Sequence, residues 1–149
     1  MEPQEQRTFF DDRGYLVIED LLSPDETADY QREIQRLHRL AADMETRGDE
    51  RSGHFQREPF AKDQNRDGLP VPRKIENTRT LSEHFGHLAA HPRLIATVQN
   101  LLGADLLLFR STLMLKPARH GSVHAFHQDS AYWPMDPPSL VTVSIALND

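Results

Sequence analysis

The chain has 149 residues, of which 38% are hydrophobic and 27% charged, a composition typical of one globular domain rather than a disordered or fibrous chain. Its 17 Lys and Arg against 23 Asp and Glu give a net charge of −6, which argues against nucleic acid or an anionic membrane as a partner. It contains no cysteine, which excludes disulfides, zinc–thiolate sites and thiol nucleophiles.

The first half of the chain predicts one helix between less regular segments. Residues 9–18 indicate a polar lead-in, a glycine turn and a short strand. Ser23, Pro24 and Glu26 then start a helix, with Ser23 as the N-cap and Glu26 completing a capping box. Residues 46–72 lack periodicity and predict a long surface loop. The buried face of the helix is predicted from apolar residues at helical spacing, which are Tyr30, Ile34, Leu37, Ala41 and Met44.

The second half of the chain predicts another helix and three strands. Residues 73–77 predict a short strand, and Pro92 begins a helix that ends at a Gly103 C-cap. Residues 105–116 are apolar enough for a core strand. Residues 140–147 alternate apolar with small polar side chains, a pattern typical of a strand that lines a ligand cavity in a barrel or sandwich.

These elements predict an α+β chain that is mainly β, with supporting helices. The strand candidates are fewer than the roughly eight that a jelly roll or closed barrel requires. The last candidate also runs to within two residues of Asp149. We therefore expect residues 1–149 to be a single domain that forms the N-terminal part of a larger one, with an incomplete β core.

The tripeptide His127-Gln128-Asp129 is the strongest candidate for a chemical site. In an extended segment, residues two apart share a face, so the imidazole and the carboxylate converge on one point. They would supply two corners of the 2-His-1-carboxylate triad, which binds Fe(II) and leaves positions open for a co-substrate and dioxygen. A surface histidine beside an aspartate is the alternative, because so short a motif often arises by chance.

The surroundings of this tripeptide resemble the phytanoyl-CoA dioxygenase family. The resemblance covers nearly the whole chain, and the order of the matching segments is more specific than any one motif. The segments are Phe10-x-x-x-Gly14-Tyr15-x-Val17-Ile18, the helix from His91-Pro92 to Leu102-Gly103, the strand ending in Leu115-Lys116-Pro117, and His127-Gln128-Asp129-Ser130-Ala131-Tyr132-Trp133-Pro134. The resemblance implies an Fe(II)- and 2-oxoglutarate-dependent oxygenase on a double-stranded β-helix, a jelly-roll or cupin-like core with helical support.

The resemblance also assigns roles to individual residues. His127 and Asp129 fall on two of the three iron ligands of the family. Lys74 falls on a lysine that contacts 2-oxoglutarate, a co-substrate whose two carboxylates need charged donors. Thr112 falls on a position that lines the co-substrate pocket, and Gln128 is a further candidate for contact with the co-substrate.

The chain departs from the family pattern at two places. The second iron histidine of the family, and the arginine that clamps the far carboxylate of 2-oxoglutarate, are expected beyond Asp149. Ser144, or Ile145 in a shifted register, stands where family members usually carry a tryptophan, so we expect one wall of the co-substrate site to differ from the family pattern. A zinc-like cluster of His124, His127 and Asp129, with His120 close in sequence, is the alternative ligand set. It needs a turn because positions 124 and 127 point to opposite faces of an extended segment.

These observations predict an Fe(II)- and 2-oxoglutarate-dependent dioxygenase that hydroxylates a small-molecule or lipid-like substrate, with ascorbate as a supporting reductant. The alternatives are a non-catalytic metal- or ligand-binding module with a degenerate oxygenase fold, and a helix-plus-sheet interaction domain. We expect a small-molecule partner, no nucleic acid and no membrane. Because the sequence shows no signal peptide or membrane span, we also expect a cytoplasmic location.

Overall fold

The computed structural model describes residues 1–59, 71–116, 121–137 and 139–148, and about half of these residues are helical. The α-helices are α1 (Pro3–Arg13), α2 (Pro24–Arg47), α3 (Thr78–Leu81), α4 (Glu83–Ala89) and α5 (Pro92–Leu102), and two short 3₁₀ helices span Glu50–His54 and Asp129–Ala131. One antiparallel sheet contains β1 (Phe55–Arg57), β2 (Pro72–Glu76) and β3 (Thr112–Met114) in that order. The described chain is therefore α+β with a small sheet, and it has more helix than the mainly β expectation.

Helix α2 begins as its sequence predicts. The Glu26 amide donates to the Ser23 hydroxyl at 3.2 Å, and the Ser23 amide donates to the Glu26 carboxylate at 2.8 Å. These reciprocal bonds satisfy two amides that the first helical turn leaves unpaired. At the other end, Gly48 adopts φ of 66°, a left-handed conformation that glycine tolerates without a steric penalty. Leu37 and Met44 are buried, which confirms the predicted apolar face.

The hydrophobic core lies where α2 and α4 meet one face of the sheet. Leu37 of α2 and Ile75 of β2 are fully buried. Phe85 and Leu88 of α4 and Leu113 of β3 complete this cluster. The helices therefore cover the face of the sheet that carries Ile75, and polar side chains occupy the opposite face because neighbours along a strand alternate.

The N-terminal lead-in differs from the prediction, because residues 3–13 form helix α1. Glu2 and Glu5 form a capping box, and Gly14 closes the helix in a left-handed conformation. Residues 15–18 belong to the described stretch 1–59 and form no strand there. None of the helices in the described ranges is both long and apolar enough to cross a membrane.

The predicted loop at residues 46–72 contains more regular structure than expected. It holds the end of α2, the 3₁₀ helix Glu50–His54 and strand β1, while residues 60–70 lie outside the described residues. The N-cap of this 3₁₀ helix is Asp49, whose carboxylate accepts a hydrogen bond from the Arg51 amide at 2.9 Å.

The strand predictions are only partly confirmed. The predicted strand 73–77 corresponds to β2, which pairs with β1 on one side and β3 on the other. Of residues 105–116, only Thr112–Met114 pair, and residues 140–147 form no ladder with the described part of the chain. An alternating pattern predicts an extended segment but does not supply its pairing partner. The double-stranded β-helix therefore stays a prediction.

Candidate metal and co-substrate site

The His-x-Asp side chains converge as the sequence predicts. His127 Nε2 lies 3.4 Å from Asp129 Oδ1. Two ligand atoms that each lie ~2.1 Å from one metal ion are separated by this distance when they subtend an angle of roughly 110° at the ion. The separation is longer than the roughly 2.7–2.9 Å of a charge-assisted hydrogen bond. The 3.4 Å separation is compatible with two atoms that share a cation, and it also lies within the range of a histidine–aspartate ion pair.

The other polar atom of each side chain already has a partner. His127 Nδ1 lies 2.9 Å from the Ala125 carbonyl oxygen, which makes Nδ1 the donor. In the neutral ring this tautomer carries its lone pair on Nε2. The Thr142 hydroxyl donates to Asp129 Oδ2 at 2.8 Å, and Oδ1 remains on the side of His127. Hydrogen bonds of this kind orient metal-binding side chains and fix the histidine tautomer. Nε2 and Oδ1 are therefore the two atoms available to a cation.

The pair lies at the surface, whereas the sequence favoured a position inside the fold. The His127 side chain is 48% exposed and the Asp129 side chain 31% exposed. Residues 121–128 and 139–148 have no ladder pairing with the described chain, so no sheet covers the motif. Asp129 also begins a 3₁₀ turn instead of continuing an extended segment.

Aromatic side chains connect this turn to the segment before β3. The Tyr132 ring packs edge-on against His127, with ring centres 5.7 Å apart. Trp133 packs against Phe109 with ring centres 5.4 Å apart, and the Arg110 guanidinium lies 5.1 Å from the centre of the Trp133 ring. The Trp133 amide donates to the Asp129 carbonyl at 3.2 Å. These contacts place residues 109–110 beside the His-x-Asp turn.

The polar face of the sheet holds a shared ion pair. The register sets Lys74 opposite Met114 and Glu76 opposite Thr112, so Lys74 and Thr112 share a face. Lys74 Nζ and Arg110 Nη2 lie 2.7 and 2.8 Å from the same oxygen, Glu76 Oε1. The hydrogen bond from Lys74 is the main cause that lowers the pKa of Glu76. Two cations and one carboxylate leave one positive charge in excess at this cluster.

Arg110 links the two halves of the site, because it contacts both Glu76 and Trp133. Sequence analysis had identified Lys74 and Thr112 but neither Glu76 nor Arg110 as part of the site. The two-residue repeat of a strand could have indicated both residues. It places Glu76 on the same face as Lys74, and it places Arg110 on the same face as Thr112. Lys74 lies on the same sheet face as Thr112, and its ammonium is paired with Glu76.

The structure gives no support to a third protein ligand among the described residues. No group of three or more His, Asp and Glu side chains suited to a metal ion occurs in them. His124 Nε2 lies 3.3 Å from Arg73 Nη2 instead, and His120 falls outside the described residues. The Gln128 side chain is exposed, and within the described chain it forms no hydrogen bond. His127 and Asp129 therefore fit two protein positions of a metal centre.

Comparison with known families supports the class of protein that the motif order indicated. The model of the family described as Phytanoyl-CoA dioxygenase (PhyH) matches residues 10–149. The chain belongs to this family.

Several curated proteins are similar to the chain along most of its length. The ectoine dioxygenase of Streptomyces coelicolor is 30% identical over 136 residues, which cover 90% of this chain and 41% of the relative. The ectoine dioxygenase of Nocardia farcinica is 32% identical over 149 residues, which cover 97% of this chain and 45% of the relative. The peroxisomal phytanoyl-CoA dioxygenase of Rattus norvegicus is 26% identical over 140 residues, which cover 92% of this chain and 40% of the relative. The chain thus spans less than half the length of these relatives. No solved structure matches it significantly.

Proposed function

We propose that the chain carries part of the active site of an Fe(II)- and 2-oxoglutarate-dependent oxygenase. The observation that carries the proposal is the 3.4 Å separation of His127 Nε2 and Asp129 Oδ1, each on a side chain whose other polar atom is hydrogen-bonded. Membership of the phytanoyl-CoA dioxygenase family supports it, as do relatives that are named dioxygenases. The proposal includes a double-stranded β-helix core to which β1–β3 would contribute.

In this proposal, His127 and Asp129 hold the iron through Nε2 and Oδ1. Bound iron supplies the one-electron and dioxygen chemistry that amino-acid side chains lack. The chain's own residues orient the ligands, because the Ala125 carbonyl selects the His127 tautomer and the Thr142 hydroxyl fixes the rotation of the Asp129 carboxylate. Both ligands would then be preorganised before a metal ion arrives.

The cluster on the polar sheet face is suited to an anionic co-substrate. Lys74 and Arg110 share Glu76, so one positive charge is available to a carboxylate of 2-oxoglutarate. A hydrogen bond to a charged group contributes roughly 1.5–3 kcal/mol, so one such bond from this cluster would favour the binding of an anion. We propose that Lys74 provides this contact, with Thr112 beside it and Gln128 as a further donor from the turn.

The substrate is proposed only as a small-molecule or lipid-like compound. The curated relatives are named for ectoine in some cases and for phytanoyl-CoA in another, so their names do not agree on one substrate. A non-catalytic metal- or ligand-binding module is the second candidate. It is favoured by one observation, the lack of a third metal-binding side chain among the described residues.

The two candidates differ in turnover of 2-oxoglutarate. Succinate formation with Fe(II) and ascorbate should be measured on the 149-residue chain and on any longer polypeptide that the gene encodes. We expect the 149-residue chain to bind iron poorly and form no succinate, because losing one ligand lowers metal affinity by large factors. A polypeptide that supplies a third ligand should form succinate.

The matched variants are His127→Ala, which should abolish succinate formation, and His87→Ala, an exposed histidine on α4 that should not affect it. Turnover by the 149-residue chain would show that a further residue of this chain completes the ligand set. No succinate from any form would favour the non-catalytic module.

A further inference from the structure

Residues 121–128 lead into the His-x-Asp motif, and side chains from the sheet region contact them at two points. Glu58, which follows β1, accepts hydrogen bonds through Oε2 from the Ser122 amide at 3.3 Å and the Ser122 hydroxyl at 3.2 Å. Arg73 of β2 lies with Nη2 3.3 Å from His124 Nε2, where the guanidinium donates. The two contacted residues are two apart, the spacing that places side chains on one side of an extended segment.

Glu58 is buried and is hydrogen-bonded both to the residue before β2 and to Ser122. Its amide donates to the Val71 carbonyl at 2.8 Å, which extends the pairing of β1 with β2. The residue is only 3% exposed, and its Oε1 has no hydrogen-bond partner among the described residues. Burying a carboxylate is costly unless donors compensate. The two bonds from Ser122 supply that compensation on Oε2, so the carboxylate and the segment 121–128 stabilise each other.

Apolar packing contributes little to holding segment 121–128, so its position depends on the hydrogen bonds. Val123 and Phe126 project outward and are 88% and fully exposed, respectively. A cavity of about 150 Å³ lies beside the contacts, lined by Glu58, Arg73, Met114 and Lys116 together with Ser122 and His124. Segment 121–128 is therefore not close-packed against apolar side chains, either at Val123 and Phe126 or beside the cavity.

We propose that Glu58 and Arg73 are positioning residues that act through Ser122 and His124 to set where His127 presents Nε2. The proposal rests on the proposed function in one respect, namely that Nε2 is a metal ligand. The hydrogen bond between His127 Nδ1 and the Ala125 carbonyl transmits the constraint, because Ala125 directly follows the anchored His124. Metal-binding histidines depend on such supporting contacts for orientation.

The test compares Glu58→Ala with Glu58→Gln in the 149-residue chain. Two readouts need no metal: the hydrogen-exchange rate of the Ser122 amide and the nuclear Overhauser contact between the His127 and Tyr132 rings. A third readout is Mn(II) affinity, measured by electron paramagnetic resonance. In Glu58→Ala we expect Ser122 exchange to accelerate about tenfold or more, the ring contact to weaken, and Mn(II) affinity to fall about tenfold.

The Gln variant should restore all three readouts to within about threefold of the original, because its amide oxygen can accept both bonds from Ser122. Arg73→Met should weaken the ring contact without freeing the Ser122 amide. Glu19→Ala, an exposed carboxylate with no side-chain hydrogen bond to the described residues, is the matched control. If Glu58→Ala fails to fold, Ser122→Ala removes one of the two bonds and serves in its place.

An unchanged Ser122 exchange rate in Glu58→Ala would overturn the anchoring contact. Faster exchange with an unchanged His127–Tyr132 contact would overturn the positioning role. A 149-residue chain that binds no Mn(II) at all, with both metal-free readouts as expected, would support the positioning inference, and succinate formation by a longer polypeptide would then decide the proposed metal function.

Discussion

Arg110 connects the sheet to the turn that carries the His-x-Asp motif, and removing its guanidinium should weaken that connection. Nη2 lies 2.8 Å from Glu76 Oε1, Cζ lies 5.1 Å from the centre of the Trp133 ring, and the side chain is 35% exposed. Arg110→Met removes the charge and the planar group but keeps most of the aliphatic stem. The substitution therefore tests the two polar contacts rather than the packing of the side chain.

The magnitude follows from the exposure of the two contacts. A cation–π contact at a partly exposed site contributes ~0.5–1 kcal/mol. An ion pair with this degree of solvent exposure contributes ~0.2–1 kcal/mol. Arg110→Met should therefore lower the free energy of unfolding by about 0.7–2 kcal/mol. Arg110→Lys keeps a positive charge near Glu76 but loses the planar face, so it should lose only the part due to Trp133.

The assay uses the fact that Trp133 is the only tryptophan in the sequence. Urea unfolding followed by circular dichroism gives the free energies, and a double-mutant cycle with Trp133→Leu isolates the stacking contribution at ~0.5–1 kcal/mol. Tryptophan emission should shift in Arg110→Met and stay unchanged in Arg79→Met, which alters an exposed arginine of α3. A coupling energy near zero with unchanged emission would refute the stacking contact.

Three further predictions concern the site and the core. Thr142→Val removes the donor to Asp129 Oδ2 and should lower Mn(II) affinity about tenfold in a titration. The Thr46 hydroxyl donates within its own helix, so Thr46→Val should leave the affinity unchanged. Equal Mn(II) affinities of Thr142→Val and the original chain would count against the role of Thr142 in orienting Asp129. Ile75→Ala empties a fully buried position and should lower the free energy of unfolding by ~2–5 kcal/mol in urea, and a loss below ~1 kcal/mol would show that the core collapses around it. Hydrogen bonds from Arg36 are the main cause that lowers the pKa of buried Glu33 below its usual 4.5. The stabilising contribution of Glu33 is therefore present above pH 4.5 and is lost as the pH falls through the pKa of the folded state. Glu33→Gln should flatten the acid side of the plot of unfolding free energy against pH, and parallel plots for the variant and the original chain would contradict this.

The helix boundaries that could be predicted from the sequence are those set by neighbouring residues. The capping box of Ser23 and Glu26 and the position of Pro92 are local signals, and both helices begin where these signals indicate. Helix α1 carries the same kind of signal in Pro3, Glu5 and Gly14. Apolar periodicity does not indicate this helix, because none of its residues is buried.

The strands and the charged cluster depend on contacts between segments that are distant in the sequence. Residues 105–116 have a strand-like composition throughout, yet they pair only where β2 lies alongside. The Lys74–Glu76 ion pair joins residues two apart on one strand face and was accessible to the period-two argument. The contact of Arg110 with Glu76 bridges residues 34 apart and depends on the register of β2 with β3, which no local pattern fixes.

The same distinction applies within the His-x-Asp motif. The convergence of His127 and Asp129 is local and was predictable, although the backbone turns at Asp129 rather than running on as a strand. The orientation of the two side chains is only partly local. The hydrogen bond between His127 and the Ala125 carbonyl joins residues two apart. The hydrogen bond from Thr142 to Asp129 joins residues 13 apart, and that from Ser122 to Glu58 joins residues 64 apart. If His127 and Asp129 bind a metal ion as proposed, a chain that retained the tripeptide but lacked Glu58 and Thr142 would keep both ligand types and lose their arrangement. On that proposal, the motif together with these two partners is a better indicator of metal binding than the motif alone.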